Sequence, residues 1–181
     1  MWEIITTSLP QLIVAGIKYT VPLSLISFAL GLILALITAL VRISQKGKEF
    51  KIIKGIFNFY VWLFRSTPLL VQLFIVYFGL PYLVIPGILD EGIKLTPFVA
   101  GVITFSLNTG AYASETIRAA ITSVPQGQWE AASSIGMTRS QTLRRIILPQ
   151  AIYLSVPPLA NSFISFVKDT SLAATITIVE M

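Results

Sequence analysis

The sequence predicts an all-α protein whose helices cross a lipid bilayer several times, and three observations carry that expectation. Charged residues fill 12% of the 181 positions and hydrophobic ones 55%, with a mean hydropathy of +0.81; a soluble domain carries about 25% charge. The apolar residues gather in uncharged blocks at 19–41, 66–89, 95–114 and 146–167. Each is about as long as, or longer than, the roughly 20 residues that a helix needs to span the hydrocarbon layer, so four spans are expected. Basic residues stand beside these blocks, where orientation signals belong, so the net charge of +5 reads as membrane topology. Buried helices of a large soluble protein would need amphipathic partners to cover them, and the chain supplies none.

The elements follow in order. Met1-Trp2-Glu3 lacks the basic start of a cleavable signal, and the apolar block after it is too long for one, so the first span is read as retained. Between the first two spans Arg42, Lys46, Lys48, Lys51 and Lys54 stand against a single Glu49. That short loop is therefore cytoplasmic and the N-terminus outside. Residues 50–64, apolar and aromatic with lysines at the start, are expected to lie partly in the interface, and Arg65 marks where the chain enters the hydrocarbon. The connection 86–97, with Asp90 and Glu91 against Lys94, falls outside; the third span brings Arg118, Arg139, Arg144 and Arg145 back inside. Pro68, Pro81, Pro86 and the pair Pro157-Pro158 should interrupt helices, which a membrane tolerates where protein or a cavity satisfies the freed backbone. Broken helices favour a transporter over a simple anchor. After Asp169 the remaining residues are too few to span, and the sequence looks unfinished. With no internal repeat and no linker, residues 1–181 read as a single transmembrane domain.

The long polar loop at 118–150 reads as helix, glycine turn, helix. Ser123 with Gln126, and Pro125 between them, predicts a capped helix start. Gly136 offers a stop, and Thr138 with Gln141 forms a second capping box that restarts a helix running into the fourth span. The first loop helix should bring Trp129, Ala132 and Ser133 together, with Glu130 offset, as a compact face suited to docking in a groove. The same pattern passes loosely for a DNA-reading helix-turn-helix. Here the second helix continues into a membrane span, which leaves no room for groove entry, so nucleic acid is not an expected partner.

Cysteine and histidine are absent, which removes thiol redox chemistry, disulfides and the common transition-metal sites. No phosphate loop appears, and no nucleophile stands near a base. No catalytic residue, metal site or cofactor is expected.

The spacing in the loop is more specific than its helical logic. Glu130-Ala131-Ala132, three residues, Gly136, nine residues, then Ile146-Ile147-Leu148-Pro149 resembles the signature loop of permease subunits in ATP-binding-cassette importers of type I. Ala111-Tyr112, Glu115, Arg118, Gly127-Gln128, Lys168-Asp169-Thr170-Ser171-Leu172-Ala173, and Phe64-Arg65-Ser66-Thr67-Pro68-Leu69-Leu70-Val71-Gln72 resemble the polar amino-acid permease family, with Ser66 where that family usually has glycine. The resemblance covers nearly the whole chain. It implies a polytopic helical permease in a bacterial inner or plasma membrane, with a fifth span missing at the C-terminus. It also implies a second permease copy or homologue, two cytoplasmic ATP-binding subunits that hydrolyse the ATP, and an external solute-binding protein. Glu130, Ala131, Ala132, Gly136 and Pro149 would then couple the loop to the ATPase. For Ala131 and Ala132 the physical reason is close approach, and for Gly136 it is the positive φ that ends a helix.

A zwitterionic solute needs a few polar groups in an apolar wall, and ionisable residues at membrane depth are functional candidates. Lys168 and Asp169, followed by Ser171, fit best; they could equally pair with each other or mark the outer interface. Gln72, Asn108 and Thr67 are weaker candidates, because intramembrane amides also join helices. Glu115 and Arg118, one turn apart, read as a structural ion pair. The resemblance leaves basic, acidic and amide amino acids and cystine open as cargo, with L-cystine or another polar amino acid favoured. An ion-coupled secondary transporter is the alternative, and it should show inverted repeats and mid-span carboxylates.

Overall fold

A computed structural model describes residues 10, 13–14, 16–44, 50–84 and 92–176. Among them there are helices and connecting turns and no strand. A π-helical turn, Gly16–Thr20, leads into α1, Val21–Ile43, whose first turn contains Pro22. Together they form the one unbent helix among the described residues that is long and apolar enough to cross a membrane. After it come α2, Phe50–Ser66, and α3, Leu69–Phe74, the latter extended by a π turn at Ile75–Gly79 and a 3-10 turn at Leu80–Tyr82. Helix α4 runs over Pro97–Ser123. Thr96 caps it by accepting from the Val99 amide at 3.4 Å, and Pro97 stands in its first turn, where a missing N–H costs nothing. Then follow α5, Gln126–Ser134; α6, Arg139–Thr142; a π turn at Leu143–Ile147; and α7, Leu148–Asp169, ending in a 3-10 stretch at Thr170–Ile176.

Helices α1 and α4 make the most extensive contact in the molecule. Small residues permit it. Ser27, Gly31, Ala35 and Thr38 recur at steps of three and four on α1, and Ser106, Thr109, Gly110 and Ala113 do so on α4, all buried. A Cβ added at Gly31 would lie 2.7 Å from the Thr109 Cβ, and one at Gly110 would lie 2.9 Å from a Leu34 methyl. Helices in lipid gain little from hydrophobic burial against each other, so close backbone approach through such residues is what joins them. Two apolar clusters flank the seam. One contains Leu23, Leu73, Phe105, Phe166 and Ile176, with the Phe105 and Phe166 rings perpendicular at 5.6 Å. The other gathers Ile121, Val124, Ile147 and Ala151 near the loop.

The structure departs from several sequence expectations. The block at 66–89 does not begin a straight span: α2 and the helix Leu69–Tyr82 meet at 109° across Thr67-Pro68. Proline disfavours the helical conformation of the residue before it and lacks an N–H to continue the ladder. The expected interfacial segment forms a helix of its own, α2, with Ile52, Ile56, Phe59 and Trp62 exposed. Pro81 opens the closing 3-10 turn. Pro157 and Pro158, by contrast, do not interrupt α7: proline's fixed φ is itself helical, and the helix continues despite the lost hydrogen bonds and the crowding of each ring against the carbonyl four residues back. The block at 95–114 falls on α4 from Pro97 onward, and that at 146–167 on the end of the π turn and α7. Residues Thr170–Ile176 form a 3-10 stretch that buries Thr170, Ala173 and Ile176. Met1-Trp2-Glu3, Lys46, Lys48, Glu49, Pro86, Asp90, Glu91 and the last five residues lie outside the described ones.

The seam makes a direct prediction. Replacing Gly31 with Val should cost about 1–3 kcal/mol through overpacking, read as a lower melting temperature in detergent. Gly55→Ala, with nothing within 4 Å of the added methyl, should leave stability unchanged or raise it by up to about 1 kcal/mol.

Candidate functional site

Two features gather the candidate site residues: the loop hairpin and a cavity beside α4. In the hairpin, α5 ends in a Schellman motif. The Gly136 amide donates to the Ser133 carbonyl and the Met137 amide to the Ala132 carbonyl, both at 3.0 Å, while Gly136 takes φ +80°. The restart is the expected capping box: the Gln141 amide donates to Thr138 Oγ1 at 3.4 Å, and the Thr138 amide donates to Gln141 Oε1 at 2.8 Å. The expected box at Ser123 does not form. Ser123 Oγ instead donates to the Ala120 carbonyl at 2.9 Å, and α5 starts from Pro125 without a side-chain cap. A serine at a helix C-terminus finds a free acceptor one turn back, and here that acceptor wins.

Of the loop residues, Glu130, Ala131 and Gly136 are exposed and so is Pro149, whereas Ala132 is 2% exposed. Trp129 is half-buried against the second apolar cluster, and the Arg139 guanidinium lies 5.1 Å from its ring centroid. The compact face read from Trp129 and Ala132 therefore turns inward, onto the helix that Thr138 restarts, and the outward face carries Glu130, Ala131 and Ser134. From Arg139 through Asp169 the chain is helical without a break.

A cavity of about 420 Å³ opens between α1, the α2–α3 break, α4 and α7. Thr67, Asn108 and Asp169 line it. Gln72 stands behind Thr67. Its Nε2 donates to the Phe64 and Thr67 carbonyls at 2.9 and 3.0 Å and lies 2.8 Å from Thr67 Oγ1, while its Oε1 accepts from Asn108 Nδ2 at 3.0 Å. The amide thus takes up backbone acceptors that the break at Pro68 frees, and it ties them to α4. Lys168 and Ser171 do not line the cavity; Ser171 Oγ donates to the Lys168 carbonyl at 2.8 Å. No ion pair joins Lys168 to Asp169 among the described residues. Asn161, Ser162 and Ser165, one helical face of α7 with Asp169, complete the polar part of the wall, with Phe166 of the same helix and Phe28 of α1 beside them. Their spacing of three and four residues up to Asp169 was the signal available in the sequence.

Near the loop end of the cavity, Glu115 forms the expected pair with Arg118 at 2.8 Å. Two further partners come from other helices: Arg42 Nη1 at 2.6 Å and Arg65 Nη1 at 3.8 Å.

With the hairpin and the cavity joined by one helix, comparison with known proteins places the chain. Residues 31–181 match the family described as the binding-protein-dependent transport system inner membrane component. The chain belongs to this family. It is therefore a multi-pass permease component of an inner membrane, and not itself the ATPase. It is 50% identical over 180 residues to the L-cystine transport system permease protein TcyB of Bacillus subtilis, covering 99% of this chain and 72% of that protein. Among solved structures, a crystal structure of an amino acid ABC transporter with histidines superposes with a TM-score of 0.85 at 35% identity, covering 97% of this chain and 76% of that one.

Two outcomes follow from the geometry. Gly136→Val forces a β-branched residue into the left-handed region at a cost of about 1–2 kcal/mol, and faster hydrogen exchange at the Gly136 and Met137 amides should report it. Gln72→Leu strands a cluster of buried acceptors and should lower stability by about 1–3 kcal/mol, measured by thermal unfolding in detergent.

Proposed function

We propose that this chain translocates a polar amino acid, with L-cystine the preferred cargo, as one of two permease subunits driven by two cytoplasmic ATPases and fed by an external binding protein. The observation that carries the reading is the uninterrupted helical run from Arg139 to Asp169. One end belongs to the hairpin, and the other supplies Asn161, Ser162, Ser165 and Asp169 to the cavity wall. Movement imposed on the hairpin is thereby transmitted to the wall.

In this reading the 118–150 loop is the coupling element of a single membrane domain. Glu130 and Ala131 enter a cleft of the ATPase, buried Ala132 lets α5 sit close on its support, Gly136 fixes the turn, and Pro149 starts the helix that carries the motion. Thr67, Asn108 and Asp169 face the solute, and Gln72 holds the first two in place. Among the described residues Asp169 is the one charged group lining the cavity and would meet the solute's ammonium, while Lys168 and Ser171 serve the outer approach. The identity to TcyB supports L-cystine, whose two zwitterionic ends suit a wall of hydroxyls and amides with Phe28, Tyr112 and Phe166 beside the apolar linkage. Four spans are proposed here with the N-terminus outside, and a fifth, as the resemblance implies, to follow them.

ATP-dependent uptake into vesicles tests this. The chain reconstituted with its ATPase and binding protein should take up L-cystine only with ATP, in competition with a panel of amino acids, and Asp169→Asn should cut uptake about tenfold or more, the loss of one charge-assisted contact. Solute accumulation without nucleotide would overturn the importer, and competition by another amino acid alone would reassign the cargo.

A further inference from the structure

The ion cluster at Glu115 is unequal in a way that its position makes useful. Glu115 is 18% exposed and receives three arginines. Arg118 lies on α4 itself, three residues on, so it moves with Glu115. Arg42 is 15% exposed and anchored a second time, its Nε donating to Asn58 Oδ1 at 2.7 Å. Arg65 differs from both: its side chain is 45% exposed, and it sits 3.8 Å from the carboxylate, at the end of α2 immediately before the 109° break. A pair of that length and exposure is weak and easily exchanged for water.

The same residue touches the cavity wall. The Arg65 guanidinium lies 5.4 Å from the Tyr112 ring centroid, and its carbonyl accepts from Tyr112 Oη at 3.5 Å. Tyr112, Thr67 and Pro68 all line the cavity. One turn further from the loop, the Gln72–Asn108 bond ties the break firmly to α4. The end of α2 is thus fixed at one point and lightly held at another, with the cavity wall between them.

We propose that Arg65 and Glu115 form a releasable latch that shuts the loop-side end of the cavity, the α2 end turning about the Gln72–Asn108 contact when the pair opens. Arg65 is then a positioning residue for the transport step. Its release withdraws Tyr112's partner and parts the Thr67-Pro68 edge from α4, opening a way out of the cavity beside the hairpin. The proposal rests on the cavity being the solute's route.

The chain contains no cysteine, so Ser165→Cys in the cavity wall gives a single reporter for a membrane-impermeant maleimide applied from the loop side. In the complex with its ATPase, nucleotide-free and in nanodiscs, Arg65→Gln should raise the labelling rate about tenfold by shifting the open population. Arg65→Lys should stay close to the parent, and so should Arg118→Gln, which removes charge from the same carboxylate without joining two elements. Tyr112→Leu, which leaves all three ion pairs intact, should raise labelling a few-fold and decides the matter if Arg65→Gln fails to assemble. Unchanged labelling in Arg65→Gln and Tyr112→Leu overturns the latch, and so does an equal rise with Arg118→Gln, which would mark a general loosening. ATP-dependent uptake by the parent is measured separately: its failure alongside the expected labelling pattern would strike the importer reading and leave the latch standing.

Discussion

At Gly31 two long helices, α1 and α4, approach until a single methyl group would not fit, and the Glu115 cluster and one corner of the cavity depend on that separation. Arg42 leaves α1 three turns beyond Gly31 and reaches Glu115 on α4 at 2.6 Å; a wider seam would carry the guanidinium out of range. Phe28 on α1 and Asn108 and Thr109 on α4 form one corner of the cavity for the same reason. In lipid no water can fill a poor fit, so small side chains set the spacing where hydrophobic burial sets it in a soluble core.

A second constraint acts at the α2–α3 break. A backbone that leaves the helix at membrane depth must have its freed carbonyls satisfied by protein or by a cavity. Both solutions appear side by side: Gln72 takes the Phe64 and Thr67 carbonyls, and Thr67 and Pro68 face open space. The break that costs backbone hydrogen bonds is also what gives the cavity its polar edge, and Gln72 stabilises both.

What could be read from the sequence follows the range of the interactions concerned. The helical class, the hairpin with its glycine turn, the Thr138–Gln141 box and the Glu115–Arg118 pair are all set by residues within four positions of each other, and pattern alone reveals them. Arg42 and Arg65 stand 73 and 50 positions from Glu115, and no local rule brings them there. The inward turn of Trp129 and Ala132 was missed because amphipathic spacing marks a face without saying which neighbour covers it. Ser123 ends α4 and does not cap α5, because its hydroxyl has two acceptable partners, an amide ahead and a carbonyl behind. Asn161, Ser162 and Ser165 share a face by their spacing, but that face gains meaning only when α1 and α4 close the other side.

The proline pair in α7 bears on how that helix behaves under load. Two consecutive rungs of the ladder, those that would have ended on the Tyr153 and Leu154 carbonyls, are missing, yet the helix stays continuous. Bending stiffness therefore drops at one turn, midway between a lower segment packed near the hairpin through Ile147 and Ala151 and an upper segment that walls the cavity. Such a rod acts as a flexure: a push at its foot tilts its head without dragging the whole length through the bilayer, and the angle of tilt can vary while both ends keep their packing.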